Sequence, residues 1–326
     1  MKKFLFTFIA AFFLAGAAGA AYVYAGQWPT SSPYGVAVTP NGKVYVTDYS
    51  NHRIQYFTAT GSFLGKWGSY GPGDGRFKGP DGVAVTRNGN VYVADTGNYR
   101  IQYFNSSGSF LGKWGSKGGG DGQFDWLEGV AVTPNGTVFV TEGLPNNRVQ
   151  YFTSTGSFLG KWGGGLPGSG DGQFYAPECV AVTPNGKVYV ADNGNARIQY
   201  FTSSGSFLGK WGSYGTGDGQ FDHPLGVAVA PNGTVFVGEY GNSRIQYFTA
   251  TGSFLGKWGS KGTGDGQFWS PMGVAVAYYG TVFVADTWNN RIQYFKRSRQ
   301  VDMESGGSGE SGVEPTSLGR VKALYN

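Results

Sequence analysis

Six acidic residues recur along the chain at nearly constant spacing, and an arginine follows each of them five or six positions later. A ring of carboxylates could bind a metal ion or transfer protons. A chemical site needs one asymmetric constellation, however, so six equivalent acids indicate a structural ion pair that is repeated six times. The pairs are Asp48 and Arg53, Asp95 and Arg100, Glu142 and Arg148, Asp192 and Arg197, Glu239 and Arg244, and Asp286 and Arg291.

The residues that usually form catalytic centres are scarce. Catalytic zinc normally has three protein ligands, usually including histidine, and this chain has two histidines, His52 and His223, in different repeats. Its single cysteine, Cys179, has no histidine or other base close in sequence, which favours a small buried residue over a reactive thiol. No nucleophile motif or phosphate-binding loop is found. We therefore predict no catalytic residue, no metal site and no cofactor.

The elements that position these residues follow from an internal repeat. The six arginines are 47, 48, 49, 47 and 47 residues apart. Each repeat contains four β-type runs, which we name a, b, c and d; in the second repeat they are residues 82–86, 90–95, 100–105 and 108–115. Asn-Gly pairs such as Asn41-Gly42 predict type I′ turns between a and b. Four consecutive antiparallel strands with a period in the forties predict blades of a β-propeller.

The strand counts predict how the ring closes. Strand a occurs six times, whereas the strand d sequence GSFLGKWG occurs five times, and the sixth repeat stops after Phe295. The segment YVYAGQW at 22–28 has the same aromatic and glycine pattern, with Trp28 in the place of Trp67. We predict that this N-terminal strand completes the last blade, because a ring must bury the outer faces of its first and last sheets.

The repeated residues also place the chain by resemblance. Asn51 and the Arg-Ile-Gln-Tyr-Phe sequence at 53–57, repeated with this spacing over residues 22–295, resemble the NHL-repeat family. The resemblance implies an all-β, six-bladed propeller, and it implies a platform that binds ligands, proteins or RNA more often than an enzyme. It does not by itself give a function.

The connections that are almost the same in all repeats and those that vary between repeats lie on opposite faces of the predicted ring. The a-to-b and c-to-d hairpins repeat almost unchanged, while the b-to-c and d-to-a connections vary, which marks the second face, here called the top, as the candidate binding surface. Immediately before strand a, at the rim of the central channel, three consecutive repeats carry acids and the other three carry apolar or aromatic residues. The rim residues are Tyr34, Asp81, Glu128, Glu178, Leu225 and Met272.

Further features distinguish single repeats on the top. The loop at 143–147 has one additional residue and the next connection, at 163–170, has two, so we expect the two insertions to be neighbours. Aromatic residues in these connections either pack locally over the blades or stack on sugar rings, peptides or cations. They are Tyr49, Tyr99, Trp126, Tyr175, Tyr240, Trp269 and Trp288.

The two ends of the chain predict the cellular context. Residues 1–20 have a basic start at Lys2 and Lys3, an apolar stretch and a small-residue pattern at 18–20, which predict a secretory signal peptide; an uncleaved anchor is the alternative. Residues 21–295 form the propeller domain in this prediction, and residues 296–326 a Gly/Ser/charged tail that is expected to be disordered. Removing the signal peptide reduces the net charge from +5 to +3.

Charge and composition narrow the class of partner. No repeat carries a run of Lys or Arg, and an acidic rim would repel phosphates, so nucleic-acid binding is not expected. The predicted function is a secreted or cell-envelope monomer that is not an enzyme and that binds an extracellular protein, peptide or glycan through its top face, without a membrane span after signal removal. A metal-dependent lyase or hydrolase of the six-bladed type is the alternative.

Overall fold

A computed structural model of the protein describes residues 21–298. Within this range the chain forms 24 strands in six four-stranded antiparallel sheets, so the predicted all-β, six-bladed propeller is confirmed. Blade 1 contains β2 (Pro33–Val38), β3 (Val44–Asp48), β4 (Arg53–Phe57) and β5 (Phe63–Trp67), and blade 2 contains β6 (Pro80–Val85), β7 (Val91–Asp95), β8 (Arg100–Phe104) and β9 (Phe110–Trp114). Blade 3 contains β10 (Leu127–Val132), β11 (Val138–Glu142), β12 (Arg148–Phe152) and β13 (Phe158–Gly163), and blade 4 contains β14 (Pro177–Val182), β15 (Val188–Asp192), β16 (Arg197–Phe201) and β17 (Phe207–Trp211).

The last two blades complete the ring. Blade 5 contains β18 (Pro224–Val229), β19 (Val235–Glu239), β20 (Arg244–Phe248) and β21 (Phe254–Trp258), and blade 6 contains β22 (Pro271–Val276), β23 (Val282–Asp286), β24 (Arg291–Arg297) and β1 (Tyr22–Pro29). Single turns of 3₁₀ helix follow strand b in blades 2, 4 and 6, at Thr96–Asn98, Asn193–Asn195 and Thr287–Asn289. The predicted signal segment, and the tail from residue 299 onward, lie outside the described residues.

The inner strands line the central channel and contact one another in sequence, from β2 through β6, β10, β14, β18 and β22 back to β2. They approach closely because the third residue of each inner strand has little or no side chain. A Cβ on Gly82 would lie 2.5 Å from the backbone oxygen of Glu128 in the next blade. Cys179 occupies the equivalent position in blade 4. Glycine at this position in five of the six blades therefore allows neighbouring inner strands to pack closely.

The a-to-b turns differ from the prediction. Gly42 has a φ of 85°, but Asn41 is not among the residues with positive φ, and the N–H of Gly42 donates to the carbonyl of Thr39 at 2.9 Å. The type I′ prediction is therefore wrong for this turn. Pro40 stands at its first central position and fixes φ near −65°, which permits a type I turn followed by a left-handed glycine instead.

Strand d of each blade packs its tryptophan against the next blade. Trp67, for example, contacts Phe104 of blade 2 with ring centroids 5.5 Å apart. Lys66 and its equivalents alternate with the tryptophans and face solvent, as predicted for an outer edge. Among residues 21–298, the indole N–H groups of all six strand d tryptophans are buried and make no hydrogen bond.

The N-terminal strand closes the ring, as predicted. β1 pairs antiparallel with β24, with Trp28 opposite Ile292. On one side the Tyr22 ring stacks on Trp258 of blade 5 at 5.1 Å, and on the other Trp28 contacts Phe57 of blade 1 at 5.6 Å. β1 is thus both the outer strand of blade 6 and part of two interblade cores. β24 continues to Arg297, two residues beyond the predicted end of the propeller at Phe295.

Candidate functional site at the top of the channel

The six predicted rim residues meet around one cavity of about 300 Å³ at the top of the channel. Each lies at the start of an inner strand, where a β-bulge inserts one extra residue. In blade 2, for example, Pro80 pairs with Asp95 and Val83 with Val93, so Asp81 and Gly82 together face Ala94. Bulges redirect side chains at the rims of sheets. The repeated bulge therefore presents one non-equivalent residue per blade to the channel mouth.

Asp81 and Glu128 form a hydrogen-bonded pair of carboxyl groups. Glu128 is 8% exposed and Asp81 is half-buried. Burial raises the pKa of the Asp81 carboxyl to about 8; the charge of Glu178 raises this pKa further, and the hydrogen bond from Glu128 opposes the rise. Burial also raises the pKa of Glu128 well above its usual value, and the charges of Glu178 and Asp81 add to this effect. At neutral pH this pair holds at least one proton, which lies between two acceptor oxygens.

Glu178 completes the acidic side of the mouth. Burial raises the pKa of its carboxyl, while a hydrogen bond from Asn193 Nδ2 to Glu178 Oε1, 3.1 Å long, and the nearby His223 oppose the rise. His223 itself contacts its neighbour Asp222, with Nδ1 and Oδ1 2.6 Å apart. Asn193 and His223 thus belong to the surroundings of the acidic cluster. The sequence did not predict this role for them, and their position in the variable top connections was the only available signal.

The opposite side of the mouth is aromatic and apolar. The rings of Tyr34 and Tyr49 stack with centroids 4.3 Å apart and an interplanar angle of 14°. Burial raises the pKa of both phenols, and the charges of Asp81 and Glu128, which line the same cavity, raise these pKa values further. Leu225 and Met272 complete the lining. A flat π surface therefore lies close to a cluster that can carry negative charge.

The predicted top-face aromatic residues have different surroundings. Tyr49 and Trp126 line the cavity, and the Trp126 side chain makes a hydrogen bond to Glu128 that lowers the pKa of Glu128. Trp269 and Trp288 stack on each other with centroids 6.0 Å apart, and both are strongly exposed. The other three do not line the cavity. They are Tyr99, which lies under Lys117, Tyr175, which is exposed, and Tyr240, which contacts His223.

The two insertions are neighbours on the top face, as expected. Asn147 Nδ2 donates to the carbonyl of Gly165 at 3.0 Å, and the N–H of Ala176 donates to Asn147 Oδ1 at 2.9 Å. Leu144 and Leu166 are exposed at the tips of the two loops. Asn147 therefore joins blades 3 and 4 through the longest connections of the propeller.

Cys179 lies below the acidic cluster in the wall of the cavity. Its Sγ is 3.7 Å from the carbonyl oxygen of Val227, and burial raises the pKa of the thiol to about 11. A thiol with this pKa is almost fully protonated at neutral pH, so it is a weak nucleophile. Cys179 is partly buried and packs against the core of blades 4 and 5, so it is less buried than the sequence predicts.

The six acid and arginine pairs lie inside the blades near the top. Each acid side chain is fully buried and accepts a bond of 2.6 or 2.7 Å from the Nε of its arginine. In blade 2 the arginine also binds the preceding connection, since Arg100 Nη1 donates to the carbonyl of Pro72 at 2.7 Å. The pairs therefore connect each strand b to strand c and to the loop above them.

Exposed lysines of strand d pair with the GDG loops, which the sequence did not predict. Lys113 and Asp74 are 2.5 Å apart, and the equivalent pairs are Lys161 with Asp121, Lys210 with Asp171, and Lys257 with Asp218. The two partners are 39 or 40 residues apart along the chain, so the local sequence around each residue does not indicate the pair. Ion pairs this exposed contribute little stability.

The bottom of the channel has a different character. Its cavity, of about 190 Å³, is lined mainly by copies of the same valine and proline, including Val38, Val132, Pro40 and Pro134. The top and bottom openings therefore differ as the sequence variation predicts. Among residues 21–298, no group of three or more His, Cys, Asp or Glu side chains is arranged to hold a metal ion, and no helix is both long enough and apolar enough to cross a membrane.

A family model, the NHL repeat, matches four segments of the sequence: residues 30–57, 77–104, 174–201 and 221–248. These segments fall in blades 1, 2, 4 and 5 of a six-bladed propeller whose other two blades repeat the same strands. The chain belongs to the NHL-repeat family. A search of curated proteins found no relative that matches this NHL-repeat chain.

Several solved structures share the fold of the NHL propeller. Hydrazine synthase of Kuenenia stuttgartiensis is 12% identical with a TM-score of 0.58, and the alignment covers 84% of this chain and 97% of that chain. Virginiamycin B lyase of Staphylococcus aureus is 16% identical, with a TM-score of 0.56 and coverage of 82% and 97%. A gluconolactonase of Xanthomonas campestris is 14% identical, with a TM-score of 0.58 and coverage of 84% and 88%. At these identities the likeness concerns the fold alone.

Proposed function

We propose that the protein is a binding module whose channel mouth holds a basic side chain of a protein or peptide partner. The observation that carries this proposal is the convergence of three carboxyl groups, Asp81, Glu128 and Glu178, beside the stacked rings of Tyr34 and Tyr49 in one cavity. A primary ammonium or guanidinium group is complementary to both features, because it pairs with carboxylates and is attracted to aromatic faces.

The size of the cavity supports a side chain rather than a large ligand. A volume of about 300 Å³ is at the lower end of ordinary ligand pockets. The apolar residues Leu225 and Met272 can contact the methylene groups of lysine or arginine, while the charged end reaches the carboxyl groups. The variable loops around the mouth, including the exposed Leu144 and Leu166, then provide surface for the rest of the partner.

The raised pKa values make this recognition dependent on pH. Asp81 must lose its proton to form an ion pair, and its pKa is about 8 in the empty site. Affinity for a cation therefore rises as pH increases from about 6 to about 9. A bound cation also stabilises the carboxylate, so that binding near neutral pH releases a proton.

The experiment compares pools of labelled heptapeptides that differ at one central residue: lysine, arginine, norleucine or glutamate. We expect the lysine and arginine pools to bind at least tenfold more tightly than the norleucine pool at pH 9, and less so at pH 6. A variant with Asp81→Asn, Glu128→Gln and Glu178→Gln should lose this preference while keeping the β-sheet circular dichroism spectrum. Equal binding of all pools, or an unchanged preference in that variant, would refute the proposal.

An enzyme of the metal-dependent lyase or hydrolase type is the second candidate function. It is supported by the pair of Asp222 and His223 beside Glu178, since a histidine oriented by a carboxylate can transfer protons. Metal analysis of the purified protein separates the candidates, because one tightly held zinc or calcium ion per chain would favour catalysis. The absence of such an ion together with the predicted peptide preference would favour binding.

We also propose that the protein is exported, on the strength of the predicted signal peptide at 1–20. Because β1 begins at Tyr22 and closes the ring, cleavage should occur near residue 20. N-terminal sequencing of the mature protein tests this, and a mature chain that begins at Gly26 would contradict it.

A further inference from the structure

The top connection that leads into blade 1 is much shorter than the other five. Four residues separate Trp28 from Pro33, whereas twelve separate Trp67 from Pro80, and the other connections are as long or longer. The GDG loop that covers each of blades 2 to 6 is therefore missing above blade 1. Thr30 stands where the next repeat has Phe77, the buried residue at the end of its GDG loop.

Blade 4 shows what this loop contributes. Arg197 Nη1 donates to the carbonyl of Ser169 at 2.6 Å, and its Nη2 donates to the carbonyls of Gly170 and Gln173, both at 2.9 Å. The same three bonds occur at the arginines of blades 2, 3, 5 and 6. The guanidinium group thus binds the backbone of a Gly-rich loop.

Two further contacts fix the loop. In blade 4 the N–H of Gly172 donates to Gln199 Oε1 at 3.0 Å, and the Asp171 carboxylate pairs with Lys210 Nζ at 2.7 Å. Gln199 lies two residues after the arginine on strand c, and Lys210 is its partner on strand d. An arginine, a glutamine and a lysine on one face of the blade therefore receive the loop in blades 2 to 5, whereas blade 6 has Gln27 in the place of the lysine.

Blade 1 has the same three side chains without the loop. Arg53 Nε pairs with Asp48 at 2.7 Å, but among residues 21–298 its Nη1 and Nη2 have no hydrogen-bond partner. The Arg53 side chain is 26% exposed, against 5–10% for the other five arginines. Gln55 donates to Thr30 and Asp48, yet no N–H donates to its Oε1, and Lys66 has no acid partner in the part of the chain that the structure describes. We name Arg53, Gln55 and Lys66 the blade 1 notch.

We propose that the blade 1 notch is the docking site for the chain's own C-terminal segment 307–311. Its sequence Gly307-Ser308-Gly309-Glu310 matches Gly168-Ser169-Gly170-Asp171 of the blade 4 loop, with glutamate in the place of aspartate. In this register the carbonyls of Ser308 and Gly309 accept from Arg53, the Glu310 carboxylate pairs with Lys66, and the N–H of Ser311 donates to Gln55.

Charge and reach agree with this occupant. Residues 301–314 contain four acids and no lysine or arginine, which complements the two cations of the notch. The described chain ends at the bottom of blade 6, where the N–H of Ser298 donates to the carbonyl of Ala21 at 2.8 Å. Nine residues lie between Ser298 and Ser308, so their Cα atoms can be up to about 33 Å apart when this part of the chain is extended. β24, which has seven residues, rises about 23 Å between the bottom and the top of blade 6, so the linking residues are long enough for the segment to reach the top of the neighbouring blade 1.

Zero-length carbodiimide cross-linking of the full-length protein tests the proposal. This reagent joins a carboxylate to an amine only when the two groups are in contact. We expect the tryptic peptide that contains Glu310 to be linked to Lys66 at least tenfold more often than to its equivalents on the other blades. Those internal controls are Lys113, Lys161, Lys210 and Lys257.

Two matched variants test the register. Glu310→Gln should reduce the yield at Lys66 at least threefold, and Glu314→Gln should leave it unchanged. Mixing chains labelled with light and heavy nitrogen shows whether the link forms within one molecule, as we expect. An even distribution over the five lysines, a greater loss with Glu314→Gln than with Glu310→Gln, or links mainly between light and heavy chains would overturn the proposal. Its failure leaves the proposed function intact, because the two rest on different residues.

Discussion

Replacing Asp81 by asparagine should change how the stability of the propeller depends on pH. The Asp81 carboxyl has a pKa of about 8 in the folded protein, against its ordinary value of 3.8 in the unfolded chain. Below about pH 4 the folded and unfolded states both hold this proton. Between about pH 4 and 8 the unfolded state loses it while the folded state keeps it, so the free energy of unfolding falls as pH rises, and it levels off above about pH 8.

The size of the effect follows from the shift. Each pH unit corresponds to about 1.4 kcal/mol, so the full change would reach on the order of 6 kcal/mol. Asp81 is half-buried at an open mouth where solvent screens charge, and we therefore expect about 2 to 3 kcal/mol. The Asp81→Asn variant lacks the proton and should lose this part of the decline.

Urea denaturation between pH 5 and pH 9 measures the difference. The free energy of unfolding of Asp81→Asn should approach or exceed that of the wild type as pH rises, with the gap changing by about 2 to 3 kcal/mol over the range. Asp74→Asn, at an exposed loop position, is the matched control and should run parallel to the wild type. Parallel curves for Asp81→Asn as well would refute the reasoning.

Two further predictions concern ring closure and the partly buried thiol of Cys179. Trp28→Ala should lower the free energy of unfolding, measured in urea, by about 3 to 5 kcal/mol, because Trp28 is 5% exposed between blades 6 and 1. The control Leu64→Ala, at a 49% exposed site, should lower it by less than about 0.5 kcal/mol. Equal losses of stability in the two variants would contradict ring closure by β1. Cys179 should react with an aromatic disulfide reagent at pH 8 at least a hundredfold more slowly in the native protein than in urea, because burial raises its pKa to about 11; comparable rates would show that the thiol is accessible.

The fold could be predicted from the sequence because every level of the repeat points to one structure. The spacing of Arg53 and its copies, the four strands per repeat and the unmatched YVYAGQW segment together define six blades and their closure. The Asn41-Gly42 pair alone predicts the wrong turn type, because Pro40 before it fixes φ near −65° and favours a different turn.

The membership of the candidate site could be predicted, but its chemistry could not. Position within the repeat identified Asp81, Glu128 and Glu178 as rim residues. The stacking of Tyr34 on Tyr49 and the proton between the carboxyl groups depend on bulge geometry and burial, which the sequence pattern does not encode. The blade 1 notch could not be predicted either, because the missing loop matters only once the structure shows which side chains, equivalent to Arg53, Gln55 and Lys66, bind such a loop in the other blades.

Isothermal titration calorimetry tests the central claim most directly, namely that the channel mouth binds a cation through carboxyl groups that lose a proton when the cation binds. The tightest lysine heptapeptide is titrated at pH 7 in phosphate and in Tris, whose ionisation enthalpies differ. The account predicts release of about half to one proton per bound peptide, lost in Asp81→Asn. Binding with no proton release, or with a release that Asp81→Asn leaves unchanged, would contradict it.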